Sequence, residues 1–137
     1  MTPMKLKPAI NMSFDGQCEA AFKFYERCLD GQITYMLTWG DSPMAKDVPP
    51  EWGGKINHAS LLIDGIVLQG SDSAPGAFEP VQNICIMLHP SIDDAERVFQ
   101  RLAEGGTVRF PFQKTFWAAG FGMVRDRFGI PWGINAE

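Results

Sequence analysis

The feature that most constrains the fold of this chain is a duplication of its pattern of strands and helices. Each half contains an apolar strand, an amphipathic helix followed by glycine, a second strand and a hairpin, in that order. Gly31 after the first helix aligns with Gly106 after the second at an offset of 75 residues, whereas Gly65 and Gly129 in the hairpin turns align at an offset of 64. The 11 surplus residues fall in the proline- and glycine-rich loop 40–54. This duplication predicts an α+β fold of two βαβββ modules.

Local periodicity predicts the elements of the first half. The apolar spacing from Cys18 to Leu29 is that of an amphipathic helix, and Gly31 stands where a helix end favours a residue with positive φ. Asp64-Gly65 is a strong signal for a two-residue hairpin turn. The predicted strands are residues 7–14, 32–39, 56–63 and 66–71. On one face of the second strand we expect Ile33, Tyr35, Leu37 and Trp39.

The second half repeats this order. Its helix has an apolar stripe from Ile92 to Leu102 and is closed by Gly105 and Gly106, and the last hairpin turns at residues 126–129. The predicted strands are residues 83–88, 107–112, 120–125 and 130–135. The predicted facing pairs of the last hairpin are Arg125 with Ile130 and Met123 with Trp132, which puts Trp132 in the core under the second helix.

Composition narrows the class of protein. A chain of 137 residues with 45% apolar and 20% charged residues predicts one folded domain, with modules at about residues 1–74 and 75–137. A net charge of −4 without a basic run argues against nucleic acid and anionic membrane as partners. No apolar run approaches the length of about 18 residues that spans a membrane, and no signal-peptide pattern opens the chain, so we expect a cytoplasmic protein. The three cysteines form no CxxC pair and are interpreted as core residues.

The two modules can pair edge to edge, so that eight strands form one cupped mixed sheet. Both helices would then cover the convex side and leave a concave face for a ligand. A ferredoxin-like split βαβ arrangement is the competing topology, because any chain with two helices among several strands gives a similar pattern.

Short motifs in a fixed order add a resemblance to a known family. The chain resembles the vicinal oxygen chelate superfamily, which contains glyoxalases, extradiol dioxygenases and fosfomycin and bleomycin resistance proteins, and within it the PhnB-like branch. The resemblance covers nearly the whole chain and implies a homodimer that binds a small molecule. The segments that carry it are Glu19-Ala20, Phe24-Tyr25, His58-Ala59, Gly70-Ser71-Asp72 and Asp126-Arg127-Phe128-Gly129-Ile130-Pro131-Trp132.

The resemblance also implies where a divalent metal would be held, from the first strand and the last hairpin strand of each module. The corresponding positions in this chain are residues 8–10, Gln69, Asn83 or Cys85, and Gly133. A metal needs at least three good donors around one point, and Gln69 is a weak one. We therefore expect no metal site and no other cofactor.

A polar cluster is expected on one face of the first hairpin. The two-residue turn sets Ser60 opposite Gln69 and His58 opposite Ser71. His58 is the best candidate for a catalytic group, since imidazole is the side chain here that can move a proton near neutral pH. A solvated sheet face with a structurally bonded His58 is the alternative interpretation. The predicted ligand-binding residues are His58, Ser60, Gln69, Ser71, Asn11 and Trp117.

Three functions stay open from the sequence. The first is a metal-independent protein that binds a small molecule in the cup of the sheet. The second is a metal-dependent lyase, isomerase or dioxygenase of glyoxalase type, which would need a Lewis acid to stabilise an enediolate or oxyanion. The third is a structural dimer without a ligand. Whether the chain is an enzyme, and which ligand it takes, does not follow from the sequence.

Overall fold

The computed structural model describes residues 2–137, which divide into a first unit that ends at Phe78 and a second unit, Glu79–Glu137. Each unit contains one strand, one helix and three further strands, in that order. The first unit consists of β1 (Ile10–Phe14), α1 (Cys18–Cys28), β2 (Gln32–Thr38), β3 (Ile56–Ile63) and β4 (Ile66–Asp72). The second unit consists of β5 (Ile86–Leu88), α2 (Ile92–Ala103), β6 (Thr107–Gln113), β7 (Gly120–Arg125) and β8 (Pro131–Ala136).

The eight strands form two four-stranded mixed sheets with the same topology. The order is β1-β4-β3-β2 in the first unit and β5-β8-β7-β6 in the second. In each sheet the first strand is parallel to the last, and the remaining neighbours are antiparallel. The predicted α+β fold of two βαβββ modules is confirmed, and the ferredoxin-like alternative is wrong.

In the first unit, α1 packs on one face of its sheet and buries an aromatic core. Phe14 on β1 and Phe22 on α1 are at most 1% exposed and meet edge to face, with ring centroids 6.3 Å apart. Leu61 and Leu68 on the two hairpin strands are buried beneath them. Each side chain of this size stabilises the fold by about 1.5–3 kcal/mol through its removal from water.

In the second unit, α2 covers the sheet in the same way. Trp132 and Ile134 on β8 are fully buried, as is Leu102 on α2, so the prediction that Trp132 belongs to the core is confirmed. Gly122 on β7 allows the helix to come this close. A Cβ atom there would lie 2.5 Å from Cε2 of Phe99, well inside van der Waals contact.

Two strands begin later in the chain than periodicity predicts. β1 begins at Ile10, where its pairing with Leu68 on β4 begins, so the residues before it have no partner strand. β5 begins at Ile86 because Asn83 has a φ of 62°, which breaks the extended backbone ahead of it.

The predicted single face of β2 is wrong. Ile33 lies opposite Leu61, whereas Tyr35 lies opposite Ser60, so a bulge at Thr34 turns Tyr35 to the other side of the sheet. Leu61 and Ser60 are adjacent on β3 and therefore point to opposite faces. A second register shift follows between Leu37 and Thr38.

The end of α1 also differs from the prediction. Asp30, with a φ of 50°, takes the left-handed conformation that was assigned to Gly31. The N–H of Gly31 donates to the carbonyl of Glu26 at 3.0 Å, which closes the helix one residue earlier than expected. Gly31 is needed for its small size, because a Cβ atom there would lie 3.0 Å from the carbonyl oxygen of Leu62.

The two hairpin turns differ in length. Asp64 and Gly65 both have positive φ, 42° and 81°, as the predicted two-residue turn requires. In the second hairpin, the N–H of Asp126 donates to the carbonyl of Ile130, which leaves a three-residue loop that ends at Gly129, with a φ of 88°. The predicted facing pairs there are therefore wrong by one residue. The observed pairs are Arg125 with Pro131, Val124 with Trp132 and Met123 with Gly133.

The loop that carries the surplus residues of the first half is folded. It contains two short 3-10 helices, Ala45–Asp47 and Pro50–Trp52. Its neck is closed by a hydrogen bond from the N–H of Gly40 to the carbonyl of Gly53. Within residues 2–137, neither α-helix has the length and hydropathy needed to cross a membrane.

Candidate functional site

The face of the first sheet opposite α1 gathers polar side chains from all four strands. We call it the polar face. Its two rows follow from the strand register, because residues paired across a sheet point to the same side. The first row is Asn11, Gln69, Ser60 and Tyr35, and the second row is Ser13, Ser71, His58 and Leu37.

His58 is in contact with two neighbours on this face. Its Nε2 atom lies 3.4 Å from Oγ of Ser60, and its ring lies 5.7 Å from the ring of Tyr35. The imidazole is half-buried. Either nitrogen can donate or accept according to its tautomer, so His58 and Ser60 together can bind a carbonyl, an amide or a hydroxyl group.

The polar face carries no formal charge apart from what His58 can acquire. None of its other residues is a carboxylate, an ammonium or a guanidinium group. Amides and hydroxyls bind uncharged polar groups at a small desolvation cost, whereas an ion placed here would lose water without gaining a counter-charge. The chemistry of the face therefore suits an uncharged polar ligand.

The structure brings five of the six predicted ligand-binding residues into these two rows. The sixth, Trp117, belongs to the second unit. Its Nε1 atom donates to Oδ1 of Asn135 at 3.0 Å, and its ring packs against Phe116 and Phe121, at 4.9 and 5.1 Å. Tyr35 was missed by the sequence analysis, because no local signal marks the bulge that turns it to this face.

The equivalent face of the second sheet carries one apolar row. Its register gives a row with the same strand order, Met87, Gly133, Met123 and Phe110. The repeated backbone therefore carries two different surfaces. Amide and hydroxyl groups form this row on the first surface, and thioether and aromatic groups form the corresponding row on the second.

The side chains at the positions implied for a metal do not fit one. The register places Asn11, and not residues 8–10, beside Gln69, and Met87, and not Asn83 or Cys85, beside Gly133, so two of the implied positions were wrong. The first unit therefore offers two amides. Gly133 has no side chain, and Met87 fills the space above it. A Cβ atom at Gly133 would lie 2.7 Å from Sδ of Met87. Across residues 2–137, no group of three or more His, Cys, Asp or Glu side chains is placed to hold an ion. Neutral amides and a thioether are a poor donor set for a divalent cation.

Asp72, the last residue of the Gly70-Ser71-Asp72 motif, has a structural role. Asp72 is 1% exposed, and its Oδ1 atom accepts the N–H groups of Gly16 and Cys18, both at 2.9 Å. Its Oδ2 atom accepts the N–H of Ile56 at 2.8 Å. One carboxylate thus joins the end of β4 to the start of α1 and to the start of β3.

Asp126 has a similar role in the last motif. Its Oδ1 atom accepts the N–H groups of Phe128 and Ile130, at 2.8 and 3.0 Å. Its Oδ2 atom accepts Nε1–H of Trp132 at 2.9 Å. The motif therefore fixes a turn and orients a core tryptophan.

Two of the three cysteines are buried, as expected for core residues. Cys18 and Cys28 are buried, and Cys85 is half-buried. Burial raises the pKa of the Cys18 thiol well above its usual range, and the neighbouring carboxylates of Asp72 and Glu19 raise it further. Cys18 is thus a protonated core thiol and not a nucleophile.

Comparisons with known proteins agree with this fold. The chain is 33% identical over 143 residues to protein YjdN of Escherichia coli (strain K12), covering 96% of this chain and 95% of that protein. The crystal structure of protein PA1353 from Pseudomonas aeruginosa is 41% identical and has a TM-score of 0.88, with 97% of this chain and 98% of that chain covered.

A third relative shows the same fold at lower identity. It is a putative 3-demethylubiquinone-9 3-methyltransferase, PhnB protein, from Bacillus cereus, 20% identical with a TM-score of 0.81 over 96% of this chain and 100% of that one. The model of the Glyoxalase/Bleomycin resistance protein/Dioxygenase superfamily matches residues 10–134. The resemblance inferred from the motifs is confirmed, and the chain belongs to the glyoxalase/bleomycin resistance protein/dioxygenase superfamily.

Proposed function

We propose that this chain binds a small, uncharged polar molecule on the polar face of its first sheet, without the help of a metal ion. The observation that carries the proposal is the row of Asn11, Gln69 and Ser60, which presents two amides and a hydroxyl side by side. Three convergent neutral groups orient a ligand by hydrogen bonds, and the neighbouring ring of Tyr35 supplies apolar contact.

His58 is the group on this face that would respond to the ligand. Its contact with Ser60 fixes one ring nitrogen near the row and leaves the imidazole able to donate or accept a proton. If the bound molecule reacts, His58 is the candidate general acid or base. Ser71 and Asn11 complete the set of hydrogen-bonding partners.

A metal-dependent lyase, isomerase or dioxygenase of glyoxalase type is the second candidate, because that chemistry occurs in the superfamily. It would require an ion at positions where this chain has amides, a glycine and a methionine. Dialysed protein should retain no stoichiometric Zn, Ni, Mn or Fe, and these ions should leave the melting temperature nearly unchanged. Stoichiometric retention with a large upward shift would replace our proposal with this one.

A screen of uncharged fragments tests the binding proposal. Small amides, ketones and alcohols are added to chelator-treated protein, and stabilisation is measured by thermal shift. The chain has two histidines, so His89 at the exposed start of α2 is a matched control. We expect hits whose effect is lost in His58→Ala and kept in His89→Ala. Equal stabilisation of both variants would argue for binding elsewhere.

We also propose that the chain forms a homodimer, as the resemblance to the superfamily implies. Phe116 is 97% exposed and Trp117 is 48% exposed, and their rings are in contact. An exposed aromatic pair of this kind is typical of a surface that a partner covers. The single-domain organisation, the shared cup and the cytoplasmic location stay predictions.

A further inference from the structure

A cavity of about 480 Å³ lies within the second unit, on the same side of the sheet as Met123. It is lined by the segment before β5 and by the adjoining ends of β6, β7 and β8. Its volume is in the range of about 300–1,000 Å³ that is usual for small-molecule sites. None of its lining residues belongs to the polar face of the first sheet, so it is a separate feature of the chain.

Two arginines, Arg109 and Arg125, line this cavity, and no Asp or Glu is among its lining residues. Arginine keeps its charge at every accessible pH. The chain as a whole has a net charge of −4, so a cavity lined by two arginines and by no acidic residue differs in charge from the rest of the chain. The cavity therefore favours an anion.

The hydrogen bonds of Arg125 leave most of its donors available. Its Nη1 atom donates to the carbonyl of Gly129 at 2.6 Å and to that of Val81 at 3.4 Å. These bonds fix the guanidinium plane. Of the five N–H donors of the group, the three on Nε and Nη2 have no acceptor within residues 2–137. A fixed fork with free donors matches a carboxylate or a phosphate group.

Arg109 is exposed, and its side chain makes no hydrogen bond or ion pair with any residue from 2 to 137. It lies where the pairing of β6 with β7 shifts, between Val108 and Phe110. Arginines elsewhere in the chain have partners. Arg97 and Arg127 contact carboxylates, and Arg27 lies over an aromatic ring.

The rest of the cavity wall is mostly apolar. Cys85, Met123 and Pro131 line it beside the arginines, and Asn83 supplies one amide. An inorganic ion alone would leave this apolar surface uncovered. A ligand with an anionic group and a small apolar body would contact both parts.

We propose that this cavity is a binding site for a small organic anion, with Arg109 and Arg125 holding a carboxylate or phosphate-type group and Met123 and Pro131 contacting its apolar body. The site is independent of the proposal for the first sheet. It uses different residues and takes an anionic ligand, whereas the polar face is proposed to take an uncharged one.

Methionine methyl signals test this proposal, because Met123 lines the cavity. Protein labelled with 13C at the methionine methyl groups is titrated with benzoate, phenylphosphonate, inorganic phosphate and uncharged benzamide. We expect benzoate or phenylphosphonate to shift the Met123 signal saturably, more strongly than inorganic phosphate, and benzamide to leave it in place. The first two ligands distinguish a carboxylate from a phosphate-type group. An equal response to benzamide, or no response to any of the anions, would overturn the proposal.

Substitutions identify the groups responsible. Arg109→Gln keeps a polar side chain and should weaken binding of the more effective anion by about tenfold or more. Arg97→Gln, which removes an exposed arginine on α2, is the control and should leave binding unchanged. Because Arg125 also holds the turn at Gly129, Arg125→Lys is the milder change there and should weaken binding in a protein that keeps its methyl spectrum. Undiminished binding by Arg109→Gln would overturn the assignment.

Discussion

One buried carboxylate, that of Asp72 in the Gly70-Ser71-Asp72 motif, joins separate segments of the chain by hydrogen bonds. Asp72 accepts three backbone N–H groups from two separate segments, and the carbonyl of Asp72 accepts Nε1–H of Trp39 at 3.0 Å. These hydrogen bonds supply acceptors to N–H groups near the starts of α1 and β3. Asp72 of the family motifs therefore acts on the fold, whereas the motif residues His58 and Ser71 lie on the polar face.

Removal of the Asp72 carboxylate is expected to destabilise the protein strongly. Asp72→Ala would leave the N–H groups of Gly16, Cys18 and Ile56 without their acceptor, so we expect a loss of about 3 kcal/mol or more in the free energy of unfolding. Urea denaturation measures it. Asp47→Ala, at an exposed position, should change stability by no more than about 0.5 kcal/mol. A loss of less than about 1 kcal/mol for Asp72→Ala would contradict this structural role.

For individual residues, the sequence predicts the strand pairing that a short turn determines. The two-residue turn at Asp64-Gly65 fixes the pairing of Ser60 with Gln69, and the structure confirms that pair. The position of Tyr35 could not be predicted, because a bulge depends on the partner strand and leaves no mark in the alternation of residues. The free donors of Arg125 likewise depend on a loop register that was wrong by one residue.

At the scale of elements, the close contact between α2 and β7 depends on Gly122, which has no side chain. Gly122→Ala would place a methyl group 2.5 Å from the Phe99 ring, and we expect a loss of about 1–3 kcal/mol from overpacking. Gly54→Ala is the matched control, since a Cβ atom at Gly54 meets nothing within 4 Å. Thermal denaturation of both variants compares them. Equal melting temperatures would mean that the helix can move away without cost.

The elements themselves were predictable where their signals are local. Amphipathic spacing gave α1 and α2, and glycine after each helix marked their ends within a residue. The starts of β1 and β5 were not predictable from the sequence, because a strand begins where a partner strand is available and not where the alternation of apolar and polar residues begins. The left-handed residue after α1 is Asp30, and Gly31 serves instead for close packing against β3.

At the scale of the whole molecule, duplication has kept the backbone and changed the chemistry. The same strand order carries a row of amides and hydroxyls in the first sheet and a corresponding row of thioethers and an aromatic ring in the second. Offsets in the sequence are enough to predict such a repeat. They do not predict the difference between the two faces, which comes from individual residues at repeated positions.

The proposed homodimer predicts the molecular mass of the protein in solution. Size-exclusion chromatography with light scattering should give twice the chain mass of 15.2 kDa. Phe116→Ser removes the most exposed aromatic side chain and should shift the protein towards the monomer, because less apolar surface is covered on association. Ile66→Ser, at an exposed position of the first hairpin, is the control and should leave the mass unchanged. A monomeric wild-type protein at every concentration would contradict the proposal.

The imidazole signals of the two histidines test the central claim most directly, since one lies on the polar face of the first sheet and the other at the start of α2. Chelator-treated protein is titrated with the strongest uncharged fragment from the screen, and both imidazole signals are followed by NMR. We predict a saturable shift of the His58 signal, no shift of the His89 signal, and the same affinity after Zn, Ni or Mn is restored. A shift that requires a restored metal, or saturable binding that leaves His58 unaffected, would contradict the account.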